Sequence, residues 1–172
     1  MAKLPLIIAP DPRLKQKAVG VAAVDSRVVR LFDDMLDTMY AANGIGLAAP
    51  QVGVLERIIV FDTAEKNQAP APVVLANPEI VWASDELAVY NEGCLSLPEQ
   101  YADVTRSRDV RVRYLGRDNK VREISGTGLL ATLLQHEIDH LDGLLFVDHV
   151  SLLKRNIILR RLLKWKRNGM YD

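Results

Sequence analysis

The strongest constraint in the chain is the run His136-Glu137-Ile138-Asp139-His140, which reads H-E-x-x-H. On a helix, residues four apart lie one above the other on the same face. His136 and His140 can then offer two imidazole nitrogens to one metal ion. Glu137 lies near that face, placed to take a proton from water and pass it on. The flanks support a helix. Thr127 is the expected N-cap, and Leu129, Leu130, Ala131, Leu133 and Leu134 make the turns apolar. Gly143 is the expected stop. A helix this apolar belongs in a core. The chain has three histidines, and two of them stand here at ligand spacing. The motif is nevertheless short, and it also arises by chance as two surface histidines beside an ordinary glutamate. A functional reading therefore needs a third ligand.

Three metal chemistries share the motif. One completes its site with a downstream glutamate, but no glutamate follows Glu137. A second extends to H-E-x-x-H-x-x-G-x-x-H. Gly143 fits it, yet position 146 is Phe146 and His149 lies three residues too far on. The third takes its remaining ligand upstream, and Cys94 is the only cysteine. A thiolate suits Zn²⁺ or Fe²⁺, and a Cys/His/His set with its fourth position open is a catalytic arrangement. A free cysteine is otherwise most often a small buried hydrophobe. Residue type alone leaves Cys94 open between these readings.

At 172 residues the chain, 1–172, is expected to form one domain with a real core. About half apolar and a quarter charged, it has the composition of a soluble globular protein. The formal net charge is zero, which gives no electrostatic case for binding DNA. No apolar run reaches membrane-spanning length. The apolar stretch near the start is too short for a signal peptide and is interrupted by proline, so a cytoplasmic location with no membrane partner is expected. A single cysteine excludes an internal disulfide.

Asp25 or Ser26 caps an expected helix that runs to about Ala42, with Val28, Leu31, Phe32, Met35 and Met39 at helical spacing. Asn43-Gly44 ends it. The stretch 44–53 is a loop of small residues around one polar side chain, Gln51. It is either a connecting turn or a place where backbone approaches a ligand. Strands are expected over 57–62, 73–76, 79–82, 86–90, 109–115 and 121–124. Asn77-Pro78 breaks the second from the third, and a turn at Gly116-Arg117-Asp118-Asn119 joins the last two. Ser151 opens a final helix to about Arg167 that is locally basic, with Lys154, Arg155, Arg160, Arg161, Lys164, Lys166 and Arg167. Its basic face is either solvated or a docking surface for a polyanion such as RNA.

Three stretches taken together resemble the signatures of bacterial peptide deformylases. They are Gly44-Ile45-Gly46-Leu47-Ala48-Ala49-Pro50-Gln51, Glu92-Gly93-Cys94-Leu95-Ser96 and Gln135-His136-Glu137-Ile138-Asp139-His140. They stand in the family's order at compatible spacing, and the resemblance extends to Pro10-Asp11-Pro12-Arg13-Leu14. It implies an α+β fold, with antiparallel or mixed β-sheets packed around a central metal-binding helix and further helices toward both termini. It implies removal of the N-formyl group from the initiator methionine of new polypeptides. Cys94, His136 and His140 would hold one divalent metal, Fe²⁺ in the cell, with Zn²⁺ or Ni²⁺ as substitutes. Glu137 would be the acid–base residue, with the Gln51 amide and the Leu95 backbone N–H as oxyanion donors. Gly44, Ile45, Gly46, Tyr90, Glu92, Gly93, Leu129 and Leu133 would meet the formylmethionyl peptide. Some members carry a basic residue where this chain has Gln100-Tyr101-Ala102, so the resemblance does not carry over how peptide positions beyond methionine are held. The basic last helix fits the family's link to the ribosome. The competing readings are an H-E-x-x-H zinc endopeptidase of another class, which would not need Cys94, and a metal-stabilised binding module, which would tolerate loss of Glu137 and Gln51.

Overall fold

A computed structural model describes residues 2–170. The first long element is α1, Ser26–Ala41. Asp25 caps it by accepting from the Val28 N–H at 3.0 Å. Asn43 ends it with a φ of 57°. The apolar stripe of α1 buries Val28, Phe32, Met35, Leu36 and Met39, and it packs against Leu47, Ile58 and Val60 of the sheet.

That sheet has five strands in the order β1-β2-β3-β6-β7. These are β1 Gly46–Ala48, β2 Ile58–Phe61, β3 Val73–Ala83, β6 Asp109–Leu115 and β7 Val121–Thr127. The strands β4 Leu87–Cys94 and β5 Leu97–Ser107 form a separate hairpin. Every strand pairing is antiparallel. The expected α+β class therefore holds in its antiparallel form. Strand β2 is buried along its whole length because both of its faces are covered. Ile58 and Val60 face α1. Ile59 and Phe61 face α2, Leu129–Leu141.

Helix α2 is buried at nine of its positions, among them His136, Glu137 and His140. Ala131, Leu134, Ile138 and Leu141 seat it on the sheet. A third cluster joins the β4–β5 hairpin to residues near the start and to α3, Leu152–Arg167. It contains Ile7, Leu14, Leu97, Val104, Phe146 and Ile158. The short 3-10 helix Phe146–His149 connects α2 to α3.

Four expectations are corrected. Thr127 does not cap α2; it ends β7, and its hydroxyl bonds Asp109 instead. The helix starts after Gly128, at φ 59° and with no side-chain cap. Asn77-Pro78 does not split a strand. β3 runs through it with a register shift, because Asn77 takes a positive φ and bonds both the N–H and the C=O of Val21. The small-residue loop 44–53 contains strand β1 and a 3-10 turn, Ala49–Val52. Strand β5 lies in a stretch for which the sequence pattern predicts no strand.

Candidate metal centre

The donor atoms of Cys94, His136 and His140 all lie within 4.8 Å of one another. Two elements bring them together. Helix α2 presents both imidazoles four residues apart, and the tight Leu95-Ser96 turn that joins β4 to β5 presents Cys94. Cys94 Sγ lies 3.3 Å from His140 Nε2. The His136 Nδ1–H donates to Glu92 Oε1 at 2.9 Å, which leaves Nε2 free to face the cluster. A second-sphere carboxylate of this kind fixes both the tautomer and the ring orientation of a ligating histidine. The donors are soft sulfur and borderline nitrogen, and three of them with an open side suit a catalytic divalent ion.

Charge is divided unevenly over the cluster. Burial works to lower the His136 pKa, but its bonds to Cys94 and Glu92 outweigh that and hold it well above the ordinary value. Burial, reinforced by the neighbouring His136 charge, holds His140 well below. Glu137 is pushed up to about 7 by burial, helped by the negative charge of Glu92 and opposed by His136 and Arg106. Its Oε2 is buried with no protein partner. An orphaned carboxylate oxygen beside a donor cluster fits a site that receives water and an ion. Gly46 makes room for this carboxylate: a Cβ there would stand 2.9 Å from Glu137 Oε1.

Gln51 is fixed at both ends of its amide. Its Oε1 accepts from the Ala48 N–H at 2.9 Å. Its Nε2 donates to Ser96 Oγ at 3.1 Å and points at Cys94 Sγ at 3.4 Å. The Ile7 N–H donates to Gln51 O and the Ala9 N–H to Ser96 O, so the segment near the start straps both sides of the site together.

The cluster opens on a cleft of about 500 Å³. The structure places Gly44, Ile45, Gly46, Gln51, Tyr90, Glu92, Gly93, Cys94, Leu95, Leu129, Leu133, His136 and Glu137 around it. His140 sits behind the cleft wall, almost fully buried. Glu92 lines the cleft, but both its oxygens are taken by His136 and Arg106, so its part is to hold His136. Sequence reasoning missed Arg106, Asp139, Tyr101 and Phe146. Arg106 left a signal: 100, 102, 104 and 106 alternate as inward positions of β5, and Arg106 is the charged one.

Fold and site together define a class: an α+β protein with an H-E-x-x-H helix and a Cys/His/His donor cluster, fit for a metal ion, beside a cleft. Residues 3–156 match the family model described as polypeptide deformylase. A peptide deformylase of Methylocella silvestris is 58% identical over 163 residues, covering 93% of this chain and 83% of that one. A peptide deformylase of Agrobacterium fabrum is 52% identical over 160 residues, covering 93% and 94%. The crystal structure of the Ehrlichia chaffeensis peptide deformylase in complex with actinonin superposes with a TM-score of 0.93 at 38% identity, covering 97% of this chain and 99% of that one. The chain belongs to the polypeptide deformylase family.

Proposed function

We infer that the protein hydrolyses the formamide at the amino end of N-formylmethionyl polypeptides, releasing formate and a free methionine amine. The observation that carries this is the Cys94/His136/His140 cluster beside the unpartnered Glu137 carboxylate, in a chain of this family. Cys94, His136 and His140 would hold one divalent metal ion; the resemblance favours Fe²⁺ in the cell, with Zn²⁺ or Ni²⁺ able to replace it. When bound, the ion would supply Lewis acidity, lowering the pKa of water toward about 7 and polarising a carbonyl.

Glu137 takes a proton from the attacking water as the water oxygen bonds to the formyl carbon. It returns that proton to the nitrogen as the C–N bond breaks. The Gln51 amide and the Leu95 N–H receive the developing negative charge on the formyl oxygen. One such donor is worth about 3 kcal/mol in the transition state. Gln51 suits this role because the Ala48 N–H locks its amide with the N–H side toward Cys94.

The methionine side chain enters the apolar end of the cleft, at Ile45, Tyr90, Leu129 and Leu133. The peptide backbone lies between Gly44-Ile45-Gly46 and Gly93. Strands β1 and β4 flank this space, and each pairs with one strand only. An extended peptide there adds a strand to both. Among the described residues no helix is long and apolar enough to cross a membrane. We place the protein in the cytoplasm, with α3 offering its basic residues to the ribosome where formylated chains emerge.

The test is formate release from formyl-Met-Ala-Ser by protein purified without oxygen, beside Cys94→Ala. Formate from wild type and none from the variant is the expected result. A fully metallated wild type that releases none overturns the reading.

A further inference from the structure

His149 is the one histidine that no part of the mechanism uses. It sits on the 3-10 helix Phe146–His149, where residues three apart project to the same side. Phe146 and His149 thus both project toward α2. The Phe146 ring stacks on the His136 ring at 6.2 Å between centroids and 21° between planes. The His149 Nε2–H donates to Asp139 Oδ2 at 2.7 Å.

From Asp139 the line of contacts continues inward. The same Oδ2 accepts from Arg106 Nη1 at 2.8 Å. Arg106 turns its Nε and Nη2 onto Glu92, at 2.7 Å and 3.0 Å. Glu92 Oε1 then accepts from His136 Nδ1. The outer end is partly open to water, with the His149 side chain 34% exposed, while the Arg106 and Glu92 side chains are 5% exposed. One buried guanidinium is therefore shared between two carboxylates. Glu92 orients the ligand His136, and Asp139 competes with Glu92 for Arg106. His149 supplies the second donor on Asp139. Without it, Asp139 draws harder on Arg106, and the fork on Glu92 loosens.

We propose that His149 is a positioning residue of the metal centre, acting through Asp139 and Arg106 on the Glu92 carboxylate that orients His136. This rests on Cys94, His136 and His140 being the metal ligands.

The experiment uses protein loaded with Co²⁺, which reports ligand geometry through its visible absorption. His149→Ala is expected to weaken Co²⁺ binding by about three- to tenfold, at or below the low end for an outer-shell partner because it lies further out. It is expected to shift the absorption bands while the melting temperature of the metal-free protein stays near wild type. His149→Gln keeps an N–H donor and is expected to restore both affinity and spectrum. In an Asp139→Ala background, His149→Ala is expected to add nothing. Wild-type affinity and spectrum in His149→Ala overturn the proposal. Equal losses in His149→Gln and His149→Ala also overturn it, since packing rather than donation would then be at work. A wild type that takes up no Co²⁺ overturns the ligand assignment itself.

Discussion

Gly46→Ala tests whether the Glu137 carboxylate must stand where it does. The added Cβ would lie 2.9 Å from Glu137 Oε1, 3.2 Å from Cδ and 3.3 Å from Cγ. Ordinary contact begins at 3.4 Å, so the carboxylate must retreat by about 0.5 Å. The φ of Gly46 lies outside the left-handed region, so alanine adds no backbone strain. The atoms in the way belong to the end of a side chain, which can move at little cost to the fold. Alanine also removes freedom from the unfolded chain, worth roughly 0.4–1 kcal/mol in favour of folding. Stability should therefore stay within about 1 kcal/mol of wild type. Catalysis should not be spared. A misplacement of about 1 Å can cost roughly a hundredfold in rate, so half that distance should cost about tenfold, or ~1.4 kcal/mol of transition-state stabilisation. The assay is formate release from formyl-Met-Ala-Ser, with metal content and urea midpoint measured on the same preparation. A wild-type kcat in fully metallated Gly46→Ala would refute the reasoning.

Glu137 also gives the metal-free protein a pH dependence. Its pKa is raised from 4.5 to about 7, chiefly by burial. A carboxyl raised on folding contributes stability below its unfolded pKa and loses it as pH rises through the folded one. Glu137→Gln cannot ionise, so wild type should lose up to about 3 kcal/mol relative to it between pH 4.5 and pH 8; parallel stability curves from denaturant melts would contradict this. Gly143→Ala should lower stability by roughly 2–5 kcal/mol, through left-handed strain and overpacking. Gly143 has a φ of 75°, and a Cβ there would stand 2.4 Å from the Lys15 carbonyl oxygen. An unchanged urea midpoint would count against it.

What could be read in advance was what local pattern encodes. The caps and stripe of α1 follow from Asp25, Asn43 and the 3.6-residue spacing of Val28, Phe32, Met35 and Met39. The metal-binding helix follows from the motif and its apolar flanks. Features settled by tertiary packing could not be read this way. Asn77-Pro78 looks like a break, yet side-chain bonds to Val21 carry the strand through it. Thr127 has the chemistry of a cap, but β7 pairing with β6 claims it. In the site, the three donor residues that the structure clusters were legible from residue type, spacing and resemblance. The frame around them was not. Arg106 and Asp139 are ordinary charged residues until the hairpin is folded over α2 and brings them within 2.8 Å.

The strap near the start bears on when the metal centre can form. The Ile7 N–H waits for Gln51, the Ala9 N–H for Ser96 and the Ala18 N–H for Leu141. Residues 7 to 18 thus find partners spread from Gln51 to Leu141, the last of them at the far end of α2. Helix α1 and strands β1 to β3 can collapse early on contacts nearer in sequence, whereas the ligand set spans residues 94 to 140 and Phe146 stacks on His136 from beyond it. Such long-range closure is the slow part of folding. The Cys94/His136/His140 cluster is therefore expected to come together only once the β4–β5 hairpin has docked on α2, later than the core of α1 and the first strands.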